Sequence, residues 1–458
     1  MTVITRIKSL FDGDGLRARA LRGSVLTFVG FGSGQFLRLL SNLVLTRLLF
    51  PEAFGLMAII QTVLLGLQMI SDTGLNTAIV QSKNGEKRVF LDTAWTVQIV
   101  RAILLWLLII AVAGPVAHFY AQPQLAQLLP VAGLTIFILG FQSTNFATAN
   151  RKLVLGRLTA LELISQAIGI FTMVALAWWT GSIWALVIGT VIGTAARVVM
   201  TYTMLPGEWN KLAWDSTCFK ELFDFGKYIF IGSLAGFVVN NADRAVLGKY
   251  VPIAELGIYN IGFFLAAIPL LLNRQFGSKI LLPIYSNTPP AESAQNRKKL
   301  RLARLLLTST MLGMGFVLAL LGTTLIDLLY EPVYALSGPI LVLLSLANMP
   351  LMIIYPYGVM LLGMGNSRSF TVQQLCQAGV YLALLILAVQ AFGIIGVMIA
   401  QVVSVLCVYP LLAWFAHRYR GWDPLLDAGL FAVALAISVI VLWLNDQAIA
   451  EILRGIVD

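Results

Sequence analysis

Apolar residues occur along most of this chain in blocks of about 20, the length that crosses roughly 30 Å of hydrocarbon as a helix rising 1.5 Å per residue. The blocks predict spanning helices at 24–49, 54–80, 94–119, 125–147, 157–180 and 182–205. A polar break at 206–222, carrying Glu208, Lys211, Asp215, Lys220 and Glu221, interrupts the series. Six further blocks follow at 224–249, 255–285, 302–330, 332–363, 370–391 and 393–416, and a thirteenth apolar run occupies 425–444. The tail 445–458 is too polar and short to span again, and an amphipathic surface helix is the alternative for it. The expected organisation is therefore a cytoplasmic leader at 1–23, an N-terminal six-helix lobe at 24–222, a C-terminal six-helix lobe at 223–420, and an additional helix and tail at 421–458. The fold class this implies is an all-α polytopic membrane protein, its two lobes placed around a central cavity.

Composition agrees. Hydrophobic residues make up 59% of the chain and charged residues 11%, against about 25% charged in soluble domains. A soluble enzyme, a nucleic-acid-binding domain and a disordered scaffold are excluded. The net charge of +10 is read as topology: 22 of the 31 Lys and Arg fall in alternate segments beginning with the leader or at the span margins beside them, three in the intervening segments or at their margins, and six deeper inside predicted spans. By the positive-inside rule the N-terminus is cytoplasmic. The leader holds five basic residues and no apolar core, unlike a cleavable signal peptide. Outer loops are short, as at Thr180-Gly181-Ser182. Cys218, Cys376 and Cys407 are isolated, and His118 and His417 stand apart from any carboxylate cluster, so no metal site and no catalytic constellation is expected. The chain is not expected to be an enzyme.

An offset of 202 residues superimposes the first and seventh spans. Phe28, Gly30, Gly34, Leu45 and Gly55 fall on Phe230, Gly232, Gly236, Leu247 and Gly257, and Arg47 falls on Lys249. Six helices per half is an even number, which makes the repeat parallel, about an axis along the membrane normal. The shared Gly-x-x-x-Gly spacing permits close helix packing.

Nine ionisable residues are expected within spans: Arg38, Asp72, Arg101, Glu162, Arg197, Asp243, Arg244, Arg274 and Lys279. Each costs about 2.5–3.5 kcal/mol at mid-bilayer on insertion scales, so such groups face a cavity or a partner. Arg197 and Lys279, near inner helix ends, are expected to snorkel. Gln35, Arg38, Asn42 and Thr46 share one stripe of the first helix, Gln61, Gln68, Asp72 and Asn76 one stripe of the second, and Ser233, Asn240 and Arg244 one stripe of the seventh. At the repeat offset Arg38 falls on Asn240, Asn42 on Arg244 and Asp72 on Arg274, as expected if these faces line one cleft. Six bases against three acids give that interior a positive sign, which suits a phosphate or diphosphate, the ligand Arg prefers. Two readings stay open: substrate contact by Arg38, Arg244 or Arg274, or a packing or gating salt bridge between Asp72 and Arg274. Coupling or gating through Asp72 or Asp243 is a further expectation. No cofactor is expected, and a proton or sodium gradient is the candidate driving force.

The segments Arg47-Leu-Leu-Phe-Pro-Glu-Ala-Phe-Gly-Leu-Met-Ala58, Ser71-Asp-Thr-Gly-Leu-Asn-Thr-Ala-Ile-Val-Gln81 and Asn240-Asn-Ala-Asp-Arg-Ala-Val-Leu-Gly-Lys-Tyr-Val-Pro-Ile-Ala-Glu-Leu-Gly-Ile-Tyr259 resemble the Wzx-type oligosaccharide flippases of bacterial polysaccharide synthesis, nearest the colanic acid and succinoglycan exporters. The resemblance runs over about residues 20 to 420. It implies a member of the multidrug, oligosaccharidyl-lipid and polysaccharide exporter superfamily in the bacterial inner membrane. Such a protein works by alternating access on an oligosaccharide carried by undecaprenyl pyrophosphate, for exopolysaccharide or lipopolysaccharide. It also implies basic cavity residues for the pyrophosphate, with Arg38 and Arg274 matching by position, and a polysaccharide polymerase or chain-length machinery as partners. The inner-end groups Arg101, Arg197 and Lys279 are expected to attract the anionic headgroup. The odd thirteenth helix departs from relatives with twelve or fourteen. The alternative is a small-molecule exporter of the multidrug and toxin extrusion type, which shares the architecture but ordinarily uses acidic cavity groups for cations.

Overall fold

The computed structural model describes residues 16–71 and 74–450, the side chains of 16–28, 70 and 225–231 excepted. Asp72 lies outside the described residues, as do most of the leader and the last eight residues. Helices account for nearly all the rest, with no strand among the described residues. They are α1 Leu16–Leu45, α2 Pro51–Ile70, α3 Leu75–Gln81, α4 Arg88–Phe119, α5 Leu125–Gly140, α6 Asn145–Arg151, α7 Leu155–Thr180, α8 Trp184–Thr203, α9 Ser216–Tyr250, α10 Ile253–Ala266, α11 Ile268–Phe276, α12 Leu282–Asn287, α13 Ala294–Leu329, α14 Ser337–Gly363, α15 Ser367–Arg418 and α16 Pro424–Leu444. Among the described residues eight helices are long and apolar enough to cross a membrane, or ten with each bent pair taken as one span. The first and seventh predicted spans overlap α1 and α9, and α15 comprises two helices, one for each of two spans, joined at Gly393, whose φ of 54° is not helical.

Three predicted helices are broken. The second ends at Ser71 and restarts as α3 after Gly74, whose φ of 58° is left-handed. The expected stripe through Gln61, Gln68, Asp72 and Asn76 therefore does not run on one helix, since Asn76 belongs to α3. The fourth bends by 60° between α5 and α6. Backbone groups freed there are taken up by neighbours, as buried irregular backbone in a membrane requires. Gln98 Nε2 donates to the carbonyls of Leu139 (2.9 Å), Gly140 (3.1 Å) and Gln142 (3.2 Å), and Tyr202 Oη donates to that of Phe141 (2.5 Å). The eighth bends by 41° between α10 and the segment Ile268–Asn287, which also contains a π turn at Gly277–Leu281.

The chain forms two compact units. Unit 1 comprises Met1–Phe50 and Val63–Ser233. In it, α1 lies against α7, Gly30 facing Thr159 and the Gly34 carbonyl accepting from Gln166 Nε2 at 2.9 Å. The repeat-equivalent Gly232 and Gly236 have nothing within 4 Å of the place a Cβ would take, so the shared spacing marks close packing in the first half alone. The polar break is bound tightly to this unit. Asp92, 5% exposed, accepts from Arg88 Nε (2.9 Å) and from the Lys211 backbone N–H (3.0 Å), and Asn210 Oδ1 accepts from Ser143 Oγ (2.9 Å) and the Thr144 N–H (3.1 Å).

Unit 2 comprises Pro51–Thr62 and Leu234–Asp458, with α14 buried along most of its length. The first turns of α2 and α10 pack reciprocally in it: a Cβ on Gly55 would overlap the carbonyl oxygen of Ile253, and one on Gly257 would overlap that of Pro51. Pro51 and Ile253, like Gly55 and Gly257, are 202 residues apart. A contact in which residue i meets j and the equivalent of j meets the equivalent of i is the mark of a two-fold relation, so the repeat is expressed in backbone geometry. The thirteenth run, α16, is fixed to this unit by a buried ion pair. Arg304 of α13 and Asp427, 3% and 1% exposed, bond directly, and Asp427 Oδ2 also accepts from Tyr357 Oη (2.7 Å) and Tyr409 Oη (2.6 Å). Arg304, at the margin of its predicted span and not counted among the in-span charges, is a core residue.

Candidate functional site

Two groups of basic side chains are built into the helices, one in each unit. The unit 2 group sits on α9 and α11. Arg274 Nη2 donates to Asn240 Oδ1, and Asn240 Nδ2 in turn donates to the Gly236 carbonyl one turn back (2.5 Å). Arg244 is one turn beyond Asn240 on the same face of α9, as the periodicity predicts. Its guanidinium lies over the Phe263 ring at 4.1 Å and donates to Asn241 Oδ1 at 3.3 Å. Arg244 Nε is buried and has no hydrogen-bond partner among the described residues. Asp243 points into the protein, 4% exposed, where Oδ2 accepts from Tyr259 Oη at 2.6 Å. Arg274 precedes the π turn, and Asn273 beside it is fully buried, donating to the Met352 carbonyl at 3.3 Å. Structure thus joins Asn240 to Arg274, sets Arg244 one turn along the same helix against Phe263 and Asn241, and assigns Asp243 to a buried pair with Tyr259.

In unit 1, Arg38 is exposed on α1, with Gln35 and Asn42 half-buried on either side along the same stripe. Gln35 Oε1 is buried without a partner among the described residues. The unit 1 group proper was only partly foreseen. Arg101, on α4, reaches the end of α2, where its Nε donates to Ser71 Oγ (3.1 Å) and its Nη2 to the Gln68 carbonyl (3.3 Å). A cation on the last carbonyls of a helix is favourably placed against its dipole. Arg197, on α8, lies 5.1 Å from the Phe146 ring, and its Nε is buried with no partner among the described residues. Both line a cavity of about 370 Å³ that also meets Gln68, Gln98 and Gln142. Arg197 therefore faces a cavity as well as lying near a helix end, which corrects the expectation that it merely snorkels. The signal that would have revealed this is the pair of helix breaks at Gly74 and Gly140–Gln142, both of which border the cavity. Among the described residues no group of three His, Cys, Asp or Glu is placed to hold a metal.

Comparison with known proteins agrees with this architecture. Over 302 residues the chain is 22% identical to the teichuronic acid biosynthesis protein TuaB of Bacillus subtilis, covering 66% of this chain and 62% of that one. It is 24% identical over 309 residues to the succinoglycan biosynthesis transport protein ExoT of Rhizobium meliloti, covering 67% and 61% respectively. The match thus spans less than two thirds of either relative. Its fold is that of the lipid II flippase MurJ in an inward closed conformation, with a TM-score of 0.70 at 14% identity, covering 93% of this chain and 98% of that one. The family described as polysaccharide biosynthesis protein matches residues 44–335, which include the Arg47–Ala58, Ser71–Gln81 and Asn240–Tyr259 segments as well as both basic groups. With spanning helices, an internal repeat and buried arginines in the places the family match covers, the chain belongs to the polysaccharide biosynthesis protein family.

Proposed function

We propose that the chain is a flippase that moves oligosaccharide units linked to undecaprenyl pyrophosphate from the cytoplasmic to the outer leaflet of the bacterial inner membrane, its N-terminus on the cytoplasmic side. The observation that carries this reading is the Arg244–Asn240–Arg274 group inside a family of polysaccharide biosynthesis proteins. Guanidinium groups held by carboxamides and an aromatic face offer planar donors to a diphosphate, whereas Asp243 is turned inward, one of its oxygens bonded to Tyr259. The diphosphate is taken up from the inner leaflet and neutralised by Arg38, Arg244 and Arg274, the protein alternates its access, and the prenyl chain stays in lipid throughout. Gln35, Asn42, Gln68 and Asn240 serve as polar lining. No covalent step is involved, so the protein is a transporter and not an enzyme. A proton or sodium gradient drives it through Asp72 or Asp243, and it delivers cargo to a polysaccharide polymerase and its chain-length machinery.

Loss of one charge-assisted hydrogen bond of about 1.5–3 kcal/mol corresponds to roughly a ten- to hundredfold loss of affinity. Arg274→Ala should therefore abolish or sharply reduce surface polymer in a complementation assay at wild-type protein abundance, and Arg274→Lys should retain part of it. Full complementation by Arg274→Ala would remove Arg274 from the mechanism.

A further inference from the structure

We infer that unit 1 carries an oxyanion site of its own, in the cavity between Arg101 and Arg197, which takes a phosphate or phosphate ester. The two guanidiniums come from different helices, α4 and α8, and converge on one space of about 370 Å³. That volume is ample for a diphosphate. Among the described residues that line it there is no acid, and the other polar groups include the carboxamide side chains of Gln68, Gln98 and Gln142. Gln98 is locked by its bonds to the carbonyls at the α5 break, and Arg101 by Ser71 and Gln68, so the site is preformed. Arg197 is the adaptable member: its Nε is buried and makes no hydrogen bond among the described residues. Glu162 on α7 exerts an attractive field on Arg197 but does not line the cavity. A planar donor held by an aromatic face and a second one fixed by a hydroxyl and a carbonyl, both lining one cavity, offer a tetrahedral oxyanion two guanidinium partners. Broken helices beside a cavity are where membrane transporters place ligand sites, and two breaks border this one. The site is distinct from the Arg244–Arg274 group of unit 2 and does not depend on the nature of the cargo.

The test uses full-length protein in nanodiscs of phosphatidylcholine alone, with radiolabelled inorganic pyrophosphate as the probe. An Arg38→Gln/Arg244→Gln/Arg274→Gln background silences the three arginines assigned to the cargo diphosphate, so that residual binding reports the Arg101–Arg197 cavity. Saturable binding in that background is expected, weakened about tenfold or more by adding Arg197→Gln and much less by Arg197→Lys. Asn76→Phe, at an exposed lining position, should reduce binding by filling the cavity while leaving both guanidiniums in place, and guards against misfolding of the Arg197 variant. Competition then identifies the source. Displacement by phosphatidylglycerol nanodiscs assigns the site to bilayer headgroups, displacement by a polyprenyl diphosphate to lipid-linked cargo, and displacement by inorganic phosphate alone to the free anion. The inference is overturned if the background binds no pyrophosphate, or if Arg197→Gln and Asn76→Phe leave binding unchanged. Because export is not the readout, this result and the flippase reading stand or fall separately.

Discussion

Replacing Arg304 with Ala should destabilise the protein by about 3–5 kcal/mol, the penalty for leaving a buried carboxylate without its partner. Asp427, 1% exposed, would retain the hydroxyls of Tyr357 and Tyr409 but lose the only cation bonded to it among the described residues. Asp427→Ala should act similarly, because Arg304 would keep only Tyr357 Oη (2.5 Å) and the Ile353 carbonyl (3.3 Å) for its terminal nitrogens. The energetic weight lies in the uncompensated charge and not in the pair itself. A double replacement, Arg304→Met with Asp427→Leu, should therefore recover most of the loss. Thermal unfolding followed by tryptophan fluorescence checks this. Single variants as stable as wild type would mean that the pair is not buried, and that α16 is held to unit 2 by its apolar face alone.

The second large effect is expected at the repeat-related glycines. A methyl group on Gly55 has no room, since it would overlap the Ile253 carbonyl oxygen, and one on Gly257 would overlap that of Pro51. Backbone atoms cannot yield as a flexible side chain would, so each Gly→Ala change should cost about 1–3 kcal/mol by forcing the first turns of α2 and α10 apart. Reciprocity adds a sharper expectation. Once either methyl has separated the two turns, both contacts are already lost, and the double variant should be clearly less destabilised than the sum of the singles. Strictly additive effects, or a large effect at one glycine and none at the other, would show that the two contacts are independent.

These two sites show different degrees of legibility. The glycine pair was readable, because a 202-residue offset predicts that Gly55 and Gly257 occupy equivalent places, and Pro51 and Ile253 fall on each other at the same offset. Helix existence was readable for the same reason that hydropathy works in membranes, where backbone groups must be satisfied within the segment. Helix breaks were not. The polar clusters Ser71-Asp-Thr-Gly74 and Gln142-Ser-Thr-Asn145 lie inside the predicted spans, but a hydrophobic count averaged over about 20 residues runs across both, while the carboxamide of Gln98 and the hydroxyl of Tyr202 that make the breaks tolerable come from other helices. Arg304 was missed because it stands at the polar margin of its apolar run, and only Asp427, 123 residues away in sequence, shows that it is buried. The stripe containing Asn240 and Arg244 was legible as helical spacing, and its pairing with Arg274 followed less directly, from the repeat aligning Asp72 with Arg274. Arg197 illustrates the opposite error: its place near a helix end suggested solvent, whereas the bend between α5 and α6 borders a cavity beneath it.

The most direct test of the flippase reading is mass spectrometry of undecaprenyl-linked glycans in cells lacking this gene, measured together with their secreted polysaccharide. The account predicts accumulation of an undecaprenyl pyrophosphate oligosaccharide and loss of surface polymer, both reversed by the wild-type gene and not by Arg274→Ala. Unchanged lipid-linked glycan pools with normal polymer would contradict it.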